Sequence, residues 1–200
     1  QGVIDVFEAA GLDKPNIGLL SEEFLNQIKS MNERNLAAEA LKRLIETDIK
    51  SRFKSNIVKN LKYSELLEGA LARYRNRSIE TAQLIEELIA LAKQLNEEIA
   101  KGNPDGLNEQ EIAFYDALES NEEAVRKMKH EDLVKLALEL TKEVKANVRV
   151  DWSVRESTQA ALRVMVRDIL DRYGYPPDFQ RQAADLIIQQ AEALTEHWLE

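Results

Sequence analysis

The sequence predicts an all-α protein, an elongated helical bundle organised along one long central helix. Three observations predict it. Only seven glycines and four prolines punctuate 200 residues, too few for a many-stranded fold that turns every ten residues. From Leu67 one face reads Leu67, Leu71, Tyr74, Ser78, Thr81, Ile85, Leu88, Ala92, Leu95 and Ile99. Its steps of four and three are those of a helix presenting one seam. Shorter apolar stretches with helical period, most of them preceded by a capping residue or stopped by Gly or Pro, fill the rest of the chain.

In chain order, residues 3–10 (VIDVFEAA) read as a short helix closed by Gly11, before a loop through Pro15 and Gly18. Ser21 caps the next helix, with Glu22 and Glu23 in its first turn and Phe24, Leu25, Ile28 and Met31 on its apolar face. A third helix starts near Asn35 and carries Leu36, Ala40, Leu41, Leu44, Ile45 and Ile49. It runs out in Ile49–Lys62, whose weak periodicity fits either helix or connector. The long helix follows, with Ser64 as its N-cap and Gly102-Asn103-Pro104 as its stop. Glu65–Lys101 is 37 residues, about 55 Å at 1.5 Å per residue. Ser78 and Thr81 weaken the middle of its seam and leave room for a kink or an exposed turn there.

Past Pro104 and Gly106, Asn108 and Glu111 form a capping box, with Leu107 and Ile112 placed as a hydrophobic staple. That helix is short, and Asn121 opens another brief turn to Met128. His130 precedes a helix with Leu133, Leu136, Ala137, Leu140 and Val144 on one face, ended by Asn147. Val148–Trp152 alternates as an extended crossing segment. Ser153 and Glu156 are placed to open a helix to Tyr173, stopped by Gly174, and the last helix runs from about Asp178 to Trp198.

There is no cysteine, which removes disulfides, thiolate metal sites and cysteine nucleophiles. The longest apolar run is Leu88–Ala92, far short of a membrane span, so no membrane partner is expected and a cytoplasmic location is. The chain opens at Gln1 without a signal sequence, as a fragment of something longer would. Net charge is −9, unevenly spread. Between Lys42 and Arg77 there are ten Lys/Arg against four Asp/Glu; between Glu80 and Glu123, two Lys against twelve Asp/Glu. An acidic total argues against wholesale coating of nucleic acid, whereas a confined basic patch is compatible with phosphate contact.

Five stretches carry a family likeness: DVFEAAGLDKP (Asp5–Pro15), LSEEFL (Leu20–Leu25), RYRNRSIETAQLIEELIALAK (Arg73–Lys93), LNEQEIAFYDAL (Leu107–Leu118) and VDWSVRESTQAALRVMVRDILDRYGYPPD (Val150–Asp178). In that order they resemble the C-terminal helical region of the restriction (R) subunit of type I restriction–modification enzymes, over essentially the whole chain. The last block is the most specific. The resemblance implies that residues 1–200 are a single C-terminal helical domain of a larger subunit, with 1–20 as the connector from an upstream motor domain. It implies a parent complex that uses ATP and Mg²⁺ to translocate and cleave DNA. Methyltransferase and specificity subunits are the implied partners of this region, which couples the motor to them. The nuclease and motor chemistry belongs upstream.

The residues themselves offer little catalytic chemistry. Glu143-Val144-Lys145, with Asp132 eleven residues earlier, has the residue types of a metal-dependent nuclease. Such a site needs carboxylates converging on Mg²⁺, and positions eleven apart on one helix are roughly 16 Å distant. No Gly-Lys-Ser/Thr precedes a helix as a phosphate loop would. His130 reads as a cap or surface residue, and neither it nor His197 has Glu-x-x-His spacing. Glu80, Glu86, Glu87, Glu97 and Glu98 read as a solvated acidic face. No catalytic, cofactor or metal residue is therefore expected in this chain.

The candidate contact set for DNA or a protein partner is Arg52, Lys54, Lys59, Lys62, Arg73, Arg75 and Arg77. Phe53, Tyr63 and Tyr74 lie among them, as in a base-stacking arrangement. The plainer reading makes Phe53 and Tyr74 core residues. Trp152 reads as a core plug, and Trp198 as a residue packed on the long helix or anchoring a partner. Duplex-DNA contact through 42–77 is the alternative to assembly.

Overall fold

The computed structural model describes residues 21–148 and 155–198, with side chains as far as Thr195 in the last helix. The expected helix at 3–10, the crossing segment beyond Val148 with Trp152, the Ser153 cap and the side chains of His197 and Trp198 lie outside it. The described residues form nine α-helices and one 3₁₀ turn, without a strand. The all-α expectation holds. The chain divides into two compact units, Gln1–Lys54 with Asn60–Pro104, and Ser55–Lys59 with Asp105–Glu200.

In the first unit, α1 (Glu22–Ser30) starts at Ser21, whose side chain accepts the Phe24 N–H at 3.2 Å. It buries Phe24, Leu25 and Ile28. Helix α2 (Arg34–Arg52) packs extensively on α4 (Thr81–Ala100), and α1 lies on both. Leu41, Ile45, Leu88 and Leu95 are fully buried in their shared core. Each such side chain contributes roughly 1.5–3 kcal/mol by leaving water.

The single helix expected over 65–101 is instead two. Helix α3 runs Ile57–Arg75 and α4 starts at Thr81. Ser64 is not a cap but lies inside α3, where its hydroxyl meets the Asn60 side chain at 3.3 Å. The break is a Schellman turn: Ser78 N–H bonds Arg73 C=O at 2.8 Å, and Arg77 N–H bonds Tyr74 C=O at 3.0 Å. Arg77 occupies the left-handed position, φ 56°, where glycine is usual and another L-residue costs about 1 kcal/mol. On the far side, the Gln83 side chain accepts the Glu80 N–H at 3.1 Å and opens α4. The hydroxyl of Tyr63 reaches Glu98, and Arg73 reaches Glu87. Contacts that move forward on α3 as they move back on α4 make the pair antiparallel. The apolar steps run unbroken through the turn because both helices bury their seams in one core.

In the second unit, α5 (Glu109–Glu119), α7 (His130–Asn147), α8 (Glu156–Arg172) and α9 (Gln180–Trp198) close a ring, each packing on the next and α9 returning to α5. The short α6 (Glu122–Arg126) and the 3₁₀ turn Pro177–Phe179 fill corners. The Asn108–Glu111 capping box forms in both directions, at 2.8 and 2.9 Å. After α8, Gly174 (φ 75°) makes the second Schellman turn, with Tyr175 N–H on Leu170 C=O at 2.9 Å. That turn drives Tyr175 into the core, where its hydroxyl donates to Leu118 C=O at 3.1 Å.

The stretch that read as helix or connector is both. Helix α2 ends at Arg52 and α3 begins at Ile57. The first residues of α3 belong to the second unit and are tied there. Asn56 accepts the Lys59 N–H at 3.1 Å, as an N-cap does, and donates to Asp116 at 2.7 Å. Val58 packs on the second core.

Candidate functional site

The seven basic residues are divided between the two units. Arg52, Lys54, Lys62, Arg73, Arg75 and Arg77 belong to the first unit and Lys59 to the second. Arg52 is folded inward: one guanidinium nitrogen bonds Asp48 at 2.8 Å and another bonds Leu95 C=O at 2.9 Å. The second Asp48 oxygen is buried without a hydrogen-bond partner among the described residues. Lys59 is half-buried 3.4 Å from Asp116. Lys62 lies over the Tyr63 ring, 5.2 Å from its centroid. Arg73 pairs with Glu87 and Arg75 with Glu68, and both arginine side chains remain more than half exposed, at 51% and 59%. Lys54 and Arg77 are exposed.

Two of the interleaved aromatics are core residues. Phe53 and Tyr63 stack with centroids 5.3 Å apart and planes 10° apart, and both are buried, so neither offers a face to a base. Burial, reinforced by the Glu98 carboxylate 2.6 Å away, pushes the Tyr63 hydroxyl well above the usual tyrosine range. Tyr74 is the reverse case. It is 37% exposed rather than core, and its hydroxyl is 3.4 Å from Thr81.

Asp132, Glu143 and Lys145 all lie on α7. Among the described residues, no group of three or more His, Asp or Glu side chains is placed to hold a metal ion. The glutamates of the expected acidic face diverge. Glu86 and Glu97 are exposed, Glu80 sits at the start of α4, and Glu87 and Glu98 hold Arg73 and Tyr63. No described helix is long and apolar enough to cross a membrane.

Sequence reasoning missed one polar chain. His130 Nε2 lies 3.0 and 3.1 Å from the two Asp105 carboxylate oxygens, and Nδ1 lies 2.9 Å from the Tyr115 hydroxyl. Burial, with Glu119, Asp105 and Asp116 nearby, pushes Tyr115 up to about 12. Its hydroxyl therefore keeps its proton further into the alkaline range than an ordinary tyrosine. The cluster joins the loop before α5, α5 itself and the first residue of α7. With Asp105, Tyr115 and His130 spread over 25 positions, nothing in local spacing marks it.

The chain matches, over residues 1–197, the family described as type I restriction enzyme HindI endonuclease subunit-like, C-terminal. It is 36% identical over 196 residues to the type I restriction enzyme HindI endonuclease subunit of Haemophilus influenzae, covering 98% of this chain and 19% of that one. It is 33% identical over 175 residues to a Methanocaldococcus jannaschii protein provisionally named the MjaIXP type I restriction endonuclease subunit, covering 86% of this chain and 16% of that one. The chain therefore spans less than a fifth of the length of these two relatives. No solved structure gives a significant match.

Proposed function

The chain belongs to the HindI-like C-terminal family of type I restriction enzyme endonuclease subunits, and from that premise we propose that it is a non-catalytic assembly domain. In this reading it couples the subunit that translocates and cleaves DNA with ATP and Mg²⁺ to the methyltransferase and specificity subunits. The observation that carries the reading is the fate of the basic residues. Arg52, Lys59, Arg73 and Arg75 each have a carboxylate of the same chain within ion-pair distance. Their charge is largely spent inside the chain, which favours a protein-facing role over a phosphate-tracking one.

A second reading, duplex-DNA contact through 42–77, has one observation in its favour. The Arg73 and Arg75 pairs are exposed, and exposed pairs are weak enough for a phosphate to displace the carboxylate.

The test is the full endonuclease subunit with and without this chain, passed over a sizing column with the methyltransferase–specificity core. The complete subunit should co-elute and the truncated one should not. Co-elution of the truncated subunit at parental affinity would sink the assembly reading.

A further inference from the structure

Asp105-Gly106 is the one Asp-Gly pair in the sequence, and there is no Asn-Gly. In such a pair the side-chain carboxyl carbon lies open to attack by the next backbone nitrogen, because glycine has no Cβ to crowd the approach. The local structure leaves that nitrogen accessible. Gly106 is exposed at φ 67°, and beyond its chain neighbours no atom lies within 4 Å of where a Cβ would stand. Among the described residues, nothing accepts its N–H. The aspartate is the constrained partner. Its two carboxylate oxygens lie 3.0 and 3.1 Å from His130 Nε2. A carboxylate only accepts, so Nε2 carries the proton of this contact. Across the ring, Nδ1 meets the Tyr115 hydroxyl at 2.9 Å, and the two rings touch edge to face. Nδ1 accepts from that hydroxyl when the imidazole is neutral and donates to it when the imidazole is charged. The hold on Asp105 persists in both states.

We propose that Asp105-Gly106 is a modification site, at which Asp105 isomerises to isoaspartate, and that His130 is the residue that slows the reaction. The Gly106 nitrogen attacks the carboxyl carbon of Asp105 and a C–N bond forms. One carboxyl oxygen leaves as water, taking the amide proton and the carboxyl proton, and a five-membered succinimide remains. Water then opens the ring at either carbonyl. Cleavage at the side-chain carbonyl restores aspartate. Cleavage at the main-chain carbonyl routes the chain through the side chain, one methylene longer. Only water leaves and enters. The first step requires the carboxyl group to turn its carbon toward the Gly106 nitrogen, and reaction depends steeply on that alignment. A carboxylate held on a fixed imidazole gains that freedom only by breaking the contact. Position sets the consequence: Asp105 is where the chain re-enters the second unit after Pro104. Isomerisation there lengthens the main chain at the boundary and displaces the carboxylate that His130 holds.

Neither docking nor DNA contact enters this chemistry. The experiment ages the full endonuclease subunit at physiological temperature and pH as parent, His130→Ala and Gly106→Asn. Digestion with a protease that cleaves before aspartate and not before isoaspartate, followed by mass spectrometry, reads each aspartate separately. The His130 side chain is 58% exposed, so its removal leaves the core intact. His130→Ala should convert Asp105 about tenfold faster than the parent, the equivalent of one hydrogen bond to a charged group, with the other aspartates unchanged. Asparagine tolerates the left-handed conformation, so Gly106→Asn keeps the turn while adding a Cβ, and it should suppress conversion. Equal rates in His130→Ala and the parent, or no isoaspartate at 105 in either, overturn the proposal. Faster conversion at every aspartate alike would trace the effect to unfolding and overturn His130 as the guard. Conversion at the parental rate in Gly106→Asn refutes the succinimide route.

Discussion

Gln190, fully buried on α9, holds the first residue of α3, Ile57, from 133 positions away. Its side-chain oxygen accepts the Ile57 N–H at 3.0 Å, and its nitrogen donates to Ser55 C=O at 2.5 Å. A helix start leaves N–H groups without partners, and here a remote amide satisfies one of them together with a carbonyl of the turn. Gln190→Ala should therefore strand two backbone groups and destabilise the chain by roughly 2–3 kcal/mol. Gln190→Glu keeps an acceptor for Ile57 but loses the donor to Ser55 and buries a charge, so it should be no better. Urea unfolding of the three proteins checks this, and equal midpoints would refute the clip.

Arg52 is a structural residue by the same logic. Its loss would leave the Asp48 carboxylate in the core with neither oxygen satisfied. Arg52→Gln should cost roughly 3 kcal/mol or more, with any loss of partner or DNA binding following the loss of folded protein. A variant that unfolds at the parental urea concentration but no longer binds would instead make Arg52 a contact residue.

Arg77 sits in the left-handed conformation at the end of α3. Arg77→Gly should stabilise the chain by about 0.5–1 kcal/mol, since glycine adopts that conformation without penalty. A small rise in melting temperature is the expected result, and a fall would mean that the arginine makes contacts worth more than the strain.

DNA contact through 42–77 makes a separate demand. Each phosphate neutralised releases counterions, so affinity must fall steeply with salt. Titration of duplex DNA at low and moderate salt should give weak binding at best for the parent. The Arg73→Glu/Arg75→Glu/Arg77→Glu variant should bind less, because it also places new carboxylates beside Glu87 and Glu68. Tight binding that survives moderate salt and disappears in the triple variant would promote DNA guidance over assembly.

Alkaline stability follows from the buried tyrosines. Burial pushes Tyr175 up to about 12, and Tyr115 likewise. Tyr63 rises further under burial and the Glu98 carboxylate. A raised folded-state pKa favours the protonated, folded form. The stability these groups contribute is complete below about pH 10, the unfolded tyrosine value, and is lost as pH climbs through about 12. Urea midpoints measured from pH 8 to 12 should fall from about pH 10 onward, and a Tyr175→Phe variant should fall less steeply. A flat profile would place these hydroxyls in solvent.

What the sequence determined by itself is the helical content and most helix ends. Ser21, the Asn108–Glu111 box, Asn121 and Gly174 act on neighbours three to five positions away, and interactions of that range are written in spacing. The apolar periodicity also named the buried faces, from Leu41 and Ile45 to Leu88 and Leu95. Periodicity states which face is buried and is silent about what it is buried against. For that reason the seam ran straight through the turn at Arg77, where only the weak positions Ser78 and Thr81 hinted at a reversal. Tertiary structure alone decided that α3 and α4 run antiparallel, that Gln190 and Asp116 receive the 55–59 segment, and that Arg73 on α3 finds Glu87 on α4. It also stacked Phe53 on Tyr63, away from solvent, and brought Asp105, Tyr115 and His130 together. Ion pairs and polar clusters depend on where remote elements meet in space, and no local rule carries that distance.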